Sequence, residues 1–325
     1  MVVPARGAPA SLQVVDDGDL GDGDVTVEVA WSSLNYKDAL ALTGTAPVVR
    51  RFPMICGIDL AGRVTASSDP SFVPGDAVLV AGCGLGDDHP GGLATRARVP
   101  SSWCVRVPPR LSPKDAMTLG TAGLTAMLAI AALERNGATP SRLDGKPVLV
   151  TGAAGGVGTL ATHLLSAVGY RVVAATGRVE QASFLESLGA TTVVGRDDVV
   201  CAEDGPLGRE RYGAAVDVVG GTVLADVLRQ TARDGVVAVC GLVGGHELTT
   251  TVYPLILRGV TVAGIDSTHQ PREAREGAWR RIGEVADPEV LDRIAQAVPL
   301  ASALDRAGDV LAGRTRGRVV VDVTA

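Results

Sequence analysis

The run Val148–Gly158, Val-Leu-Val-Thr-Gly-Ala-Ala-Gly-Gly-Val-Gly, carries the strongest chemical signal in the chain. A short apolar strand reaches Thr151, a glycine-rich turn follows, and helical spacing begins near Val157. A helix N-terminus offers free N–H groups and the positive end of the helix dipole, so such a turn can seat a phosphate. Gly155 lets the backbone approach that phosphate, and Gly158 lets the helix pack on the strand. The motif departs from G-x-G-x-x-G, because Ala153 stands where the first glycine would be. A methyl group is tolerated there as long as φ stays negative. The bland alternative is an ordinary glycine-rich turn. The strand before it, the helix after it and the βα units beyond favour the pyrophosphate of a dinucleotide.

The next strand ends at Ala174-Ala175-Thr176-Gly177-Arg178. A site for NAD would place an acid here, about 20 residues past the glycines, on the ribose 2′-hydroxyl. None is present, and Glu180 falls in the first turn of the following helix. A hydroxyl, an open backbone and a guanidinium suit a 2′-phosphate instead, which predicts NADPH. Arg196 follows the third strand, the neighbour of the second in the usual strand order, and so would approach the same phosphate. The competing reading makes Arg178 and Arg196 solvated surface charges.

These residues need elements to hold them. From Pro147 onward, strands and helices alternate. Val148–Thr151, Arg171–Ala175, Val193–Val194, Ala215–Val219, Val236–Cys240 and Val260–Ile265 read as strands, with helices at 157–168, 181–188 and 222–233. That alternation predicts an α/β fold with a doubly wound parallel sheet. Before it, Asp24–Trp31, Ile58–Ala66 and Asp76–Ala81 are short strand signals broken by Gly, Pro and Asp, so the first part is β-rich. A long apolar helix spans Ala116–Leu133 between the two parts. Helices at 273–285 and 288–297 precede a last strand, Arg318–Val323, whose natural host is the first sheet. The expected division is 1–120, completed by 268–325, around a dinucleotide-binding domain at 121–267.

The chain is 325 residues long, 46% hydrophobic and 20% charged, a globular balance with room for two cores. Aromatic residues make up 3%, the formal net charge is -6 and no basic stripe exists, which argues against a nucleic-acid partner. No run of about 18 consecutive apolar residues predicts a membrane span. Cys56, Cys83, Cys104, Cys201 and Cys240 are scattered and read as reduced thiols, with a cytoplasmic location as the expectation.

In combination, several segments resemble the quinone-oxidoreductase-like medium-chain dehydrogenases/reductases, in the branch of NADPH-dependent acrylyl-CoA reductases. They are Ser33-Leu34-Asn35-Tyr36-Lys37-Asp38-Ala39-Leu40, Arg50–Met54, Gly57–Gly62, Thr176-Gly177-Arg178 and Leu257–Thr261. The resemblance covers nearly the whole chain. It implies a GroES-like catalytic domain built from both chain ends, a central Rossmann domain and a homodimer. It also implies reduction of acrylyl-CoA to propanoyl-CoA. Carried over by position, cofactor contacts fall on Tyr36, Ala154, Gly155, Gly156, Val157, Thr176, Gly177, Arg178, Arg196, Leu242, Ile256 and Ser267. A family asparagine near the C-terminus gives way to Ala312-Gly313, and that contact does not carry over.

Zinc alcohol dehydrogenases of the same superfamily use Gly-His-Glu where this chain has Gly57-Ile58-Asp59, and no cysteine stands near Asn35–Asp38. The expectation is therefore metal-free reduction of a C=C bond activated by a carbonyl or thioester. Hydride would add to the β-carbon, and the α-carbon would then take a proton. Tyr36 is the candidate proton or hydrogen-bond donor; alternatively it packs beside the cofactor, and solvent supplies the proton. Asn35 would orient substrate or Tyr36. Asp38 would pair with Lys37 or Arg51, and Asp59 has a similar scaffold role. Arg50 and Arg51 are either anion binders for CoA phosphates or a solvated double charge. Two rival functions share the cofactor site: a quinone or enone reductase, and an NADPH-binding protein without turnover.

Overall fold

The computed structural model describes residues 1–325. The chain forms two compact units, Met1–Leu124 with Ser267–Ala325, and Thr125–Asp266.

In the first unit, strands β1 (Val25–Leu34), β2 (Asp59–Ser67), β3 (Ala77–Ala81), β4 (Arg96–Val99) and β5 (Val105–Arg106) come first in the chain. Helix α1 (Tyr36–Thr43) follows β1 directly. Helix α2 (Pro113–Arg135) closes this stretch and continues into the second unit. It is the one helix long and apolar enough to cross a membrane, yet 89% of its apolar window is buried in the fold, as in a core helix.

The second unit alternates β6 (Val148–Val150), α3 (Gly156–Ala167), β7 (Val172–Thr176), α4 (Ala182–Ser187) and β8 (Ala190–Gly195). It continues with β9 (Tyr212–Asp217), α5 (Gly221–Gln230), β10 (Thr231–Val239), α6 (Tyr253–Arg258) and β11 (Thr261–Gly264). The tail adds α7 (Arg272–Val285), α8 (Pro288–Ile294), β12 (Ala295–Pro299), α9 (Ala303–Leu311) and β13 (Arg318–Asp322) to the first unit.

The six strands of the second unit lie in the order β8-β7-β6-β9-β10-β11, all parallel. The order reverses beside β6, and in such sheets ligands bind at the strand ends next to that switch. Strand β6 is wholly buried, as a parallel strand covered on both faces must be. Its core joins Leu149 and Ala215 with Val227 and Leu228 of α5.

The first unit's sheet runs β12-β13-β1-β2-β3-β5, with β4 also on β1. The predicted host of the last strand is thus confirmed: β13 pairs antiparallel with β1, Val320 opposite Ser33. Two tail features differ from the expectation. The helix at 288 stops at Ile294, because the next residues extend as β12 and pair in parallel with β13. A further helix, α9, buries Ala303 and Ala307 in the first core. In the second unit α5 ends at Gln230, and β10 begins there rather than three residues past a longer helix.

Candidate active site

Strand β6 delivers Thr151 to the glycine turn, and the fold around that turn is tightly specified. The Thr151 hydroxyl donates to the Asp217 carboxylate at 2.7 Å and accepts from Val218 N at 3.0 Å. Asp217 also accepts from Gly220 N at 2.8 Å. Burial pushes the Asp217 carboxyl up, while the Thr151 and Gly220 donors pull it back. Gly152 has φ +57, the left-handed region. A Cβ on Gly158 would lie 2.4 Å from Gly152 O, so only glycine lets α3 sit this close to the turn. Ala153 is buried and lies outside the positive-φ set, which is why a methyl replaces the first glycine without strain. Ala154 is buried, Gly155 is the N-cap of α3, and Gly156 and Val157 open its first turn, half-buried. The first-turn N–H groups have no acceptor within the helix.

The second strand of the unit, β7, carries the next group. Gly195 of β8 pairs with Thr176 of β7, which brings Arg196 alongside Gly177. A Cβ on Gly177 would lie 2.7 Å from Arg196 Nη2, so the guanidinium occupies the space a side chain would fill. Arg178 N donates to Thr176 Oγ1 at 3.0 Å, and Arg178 Nη2 reaches back to Ala154 O at 2.8 Å. Thr176, Gly177, Arg178 and Arg196 therefore gather beside the glycine turn. A cleft of about 330 Å3, counting its open mouth, is lined here by Thr151, Gly152, Thr176, Gly177 and Arg196, with no carboxylate on its wall. Val199, Val219 and Val223 form its apolar side. Sequence reasoning did not single out these valines as site residues: Val199 lies past a predicted strand, Val219 ends one and Val223 falls in a predicted helix. Leu242 and Ile256, both well exposed, are not among the residues lining this cleft.

In the first unit, Tyr36 opens α1 with its side chain 45% exposed. Asn35 is the N-cap, and Asp38, at the third helical position, accepts from Asn35 N at 2.8 Å, half of a capping box. Asp38 also accepts from Asn35 Nδ2 and from Ile58 N. Burial, then the charge of Asp59, raises its carboxyl to about 6. Asp59 lies fully buried and accepts from Ser33 Oγ at 2.6 Å, Asn35 Nδ2 at 2.8 Å and both Thr121 N and Thr121 Oγ1. Arg318 completes the group, donating to Ser33 Oγ, Asn35 Oδ1, Leu34 O and Thr118 O.

This geometry corrects the expected pairing of Asp38. The carboxylate points inward, so Lys37 pairs with Asp87 and Arg51 with Asp88 at 2.8 Å. Arg50 is exposed, with its backbone N–H on Asp87 O. The Asn35 amide is committed to the buried group: Nδ2 donates to Asp38 and Asp59, and Oδ1 accepts from Arg318. Ser267, half-buried, begins the chain's return to this unit and runs past Gly82. Gly313 is left-handed just past the end of α9.

The sequence model of the alcohol dehydrogenase GroES-like domain matches residues 21–109, and that of the zinc-binding dehydrogenases matches residues 156–284. The zinc named by the second does not fit these residues. Ile58 presents a buried alkyl group, and nowhere do three His, Cys, Asp or Glu side chains come together. The probable acrylyl-CoA reductase AcuI of Escherichia coli K12 is 47% identical over 97% of this chain and 95% of that protein. The putative quinone oxidoreductase YhfP of Bacillus subtilis is 43% identical over 95% of this chain and 93% of its own length; its crystal structure, which holds NAD, superposes with a TM-score of 0.92. The yhdH oxidoreductase of Salmonella enterica, in complex with NADP, matches at TM-score 0.94 and 46% identity, covering 99% of this chain and 98% of that one. The fold, the glycine turn and these relatives agree: the chain belongs to the medium-chain dehydrogenase/reductase family of oxidoreductases.

Proposed function

We propose that this oxidoreductase uses NADPH to reduce a carbon–carbon double bond conjugated to a thioester, with acrylyl-CoA as substrate and propanoyl-CoA as product. The carrying observation is the cleft beside Gly177. The Arg196 guanidinium and Thr176 line it with no acid to claim a ribose 2′-hydroxyl, and Arg178 follows next in the chain, its backbone N–H on the Thr176 hydroxyl. The Gly177 gap, kept free of a Cβ, and the Arg178–Ala154 tie fit the extra phosphate of NADPH, and the first turn of α3 fits its pyrophosphate. The name of the E. coli relative supports the substrate, and the bound NADP of the Salmonella structure supports the cofactor.

When bound, NADPH would supply the hydride that adds to the β-carbon. The chain's own part is to hold both partners and to answer charge on the thioester oxygen. Tyr36 keeps an exposed phenol at the start of α1 and is the proposed donor of a hydrogen bond to that oxygen or of a proton to the α-carbon. Leu242, Ile256 and Ser267 remain proposed cofactor contacts by position.

YhfP carries a quinone-oxidoreductase name, and quinone or enone reduction is the second reading. Following NADPH absorbance with acrylyl-CoA, enones and quinones separates the two through kcat/KM. The cofactor assignment has its own test. Arg178→Ala is expected to weaken NADPH about 10-fold or more, the worth of a charge-assisted hydrogen bond, while NADH use stays level. Equal losses for both cofactors defeat the phosphate assignment.

We further propose a homodimer formed through β11. That strand has a neighbour on one side only, and Val262 stands exposed on it. Val252, Tyr253, Leu255, Ile256 and Leu257 add exposed apolar surface close by in the chain. All five cysteines are free, which supports a reducing compartment, and we place the protein in the cytoplasm.

A further inference from the structure

Beneath the exposed phenol of Tyr36 lies a group of charges that the surface chemistry does not use. Asp38 and Asp59 are both essentially buried, and Arg318, 3% exposed, stands 3.7 Å from Asp59. Burying charge this completely is unfavourable unless partners answer it. A salt bridge this deep is thus poor evidence for stability and calls for another reason.

The pattern of donors suggests one. Every element around the group feeds the short turn between β1 and α1. Ser33 near the end of β1 and Asn35 in that turn both bridge Asp59 to Arg318. Asp38 holds the turn's backbone through Asn35 N and ties it to β2 through Ile58 N. Thr121 and Thr118 of α2 close the far side. Gly120 of α2 has φ +49, and a Cβ there would lie 2.4 Å from Asp59 Oδ2, so α2 is kinked where it approaches the carboxylate. Asn35, half-buried, is followed directly by the exposed Tyr36.

We propose that Asp38, Asp59 and Arg318 are positioning residues that lock the Ser33–Asp38 turn and so fix the place of the Tyr36 phenol. This rests on the reading of Tyr36 given above only for its effect on turnover. The lock has a built-in sensitivity to protons. As a carboxylate, Asp38 accepts from three N–H donors. Protonation puts an O–H among those donors and removes acceptor capacity from Asn35. The charged groups facing it are Asp59 on β2 and Arg318 on β13; Cys56, with the Met1 ammonium, lies beyond. Its carboxyl takes up a proton at about 6.

Hydrogen–deuterium exchange on the full chain reads the turn directly. In Asp38→Asn and Asp59→Asn, peptides covering Ser33–Asp38 are expected to exchange at least five-fold faster, while peptides from β6 and α3 stay unchanged. In the unaltered protein, corrected exchange at the same turn should rise as pH is lowered through about 6, and Asp38→Asn should remove that step. Steady-state assays should show kcat reduced at least ten-fold in Asp59→Asn with little change in KM, and no further loss when Tyr36→Phe is added. Unchanged exchange at the turn in the folded variants, together with a flat pH response in the unaltered protein, overturns the proposal. The pH arm keeps it testable if a variant fails to fold. Faster exchange with unaltered kcat would uphold the lock and defeat the role of Tyr36 in turnover.

Discussion

Gly158 and Gly177 both lie near the cofactor cleft, yet their missing side chains serve different ends. At Gly158 the intruding Cβ would meet backbone, Gly152 O, which cannot yield. Gly158→Ala should therefore separate α3 from the turn, cost about 1–3 kcal/mol in denaturant unfolding, and weaken NADPH and NADH alike. At Gly177 the Cβ would meet the far end of a flexible arginine. Gly177→Ala should leave the melting temperature nearly unchanged and weaken NADPH alone, as Arg196 swings away; calorimetry with both cofactors checks this. Asp38 sets a third expectation. Its carboxyl is raised to about 6 by burial and by Asp59, so the folded chain binds its proton more readily than the unfolded chain does. The cost of its charge is fully present above that pH and is relieved as pH falls through it toward the ordinary carboxylate range. Relative to Asp38→Asn, the unaltered protein should gain about 1 kcal/mol of unfolding free energy between pH 7.5 and pH 5. The Thr176–Arg178 cluster and Arg196 were legible in the sequence, because each follows a strand of known place in a doubly wound sheet. The Asp38–Asp59–Arg318 group was legible only in part: a scaffold role was expected for both acids, but not their shared burial, nor Arg318, which comes from the last strand and joins them only in the folded sheet.

Elements were legible to the extent that their pairing was local or their burial two-sided. The parallel strands β6 and β7 are short apolar runs that needed no tertiary information, whereas β9, expected at 215–219, lies at Tyr212–Asp217 and ends in a buried aspartate. Strand β12, Ala-Gln-Ala-Val-Pro, has no such run and extends only because β13 accepts it as an edge partner. The start of β10 contains Arg233-Asp234-Gly235, a turn-like sequence that reads as a helix end. Asp234 indeed takes φ +56, and the pairing of β9 with β10 shifts register there. Helix α2 shows the reverse case, a continuous helical pattern interrupted in space. Gly120 breaks it at φ +49 so that Asp59 can accept from Thr121 N at the start of the second half. Gly120→Ala would combine a strained φ with a clash on a buried carboxylate. A loss of about 2 kcal/mol or more is expected in urea unfolding, larger than the gain alanine brings to an ordinary helix interior.

At the scale of the molecule, the parallel sheet of the second unit ends in an open edge at β11. Exposed edges invite a second copy of the same chain. Val262→Lys would place a charge on that edge, and light scattering is expected to show a lighter species than the parent protein at equal concentration. A mass that stays put would remove β11 from the interface. The first unit has a different global property: its sheet is completed by the last strand of the chain. β13 lies between β12 and β1, not at the rim, and it carries the guanidinium that faces Asp59. On the ribosome, therefore, the opening residues must wait for the closing ones. The strands of the central unit all emerge before β13, whereas the sheet that β1 belongs to stays unfinished until β13 has been made. A chain without β13 would keep every strand of its nucleotide seat and lose an inner strand of the other sheet.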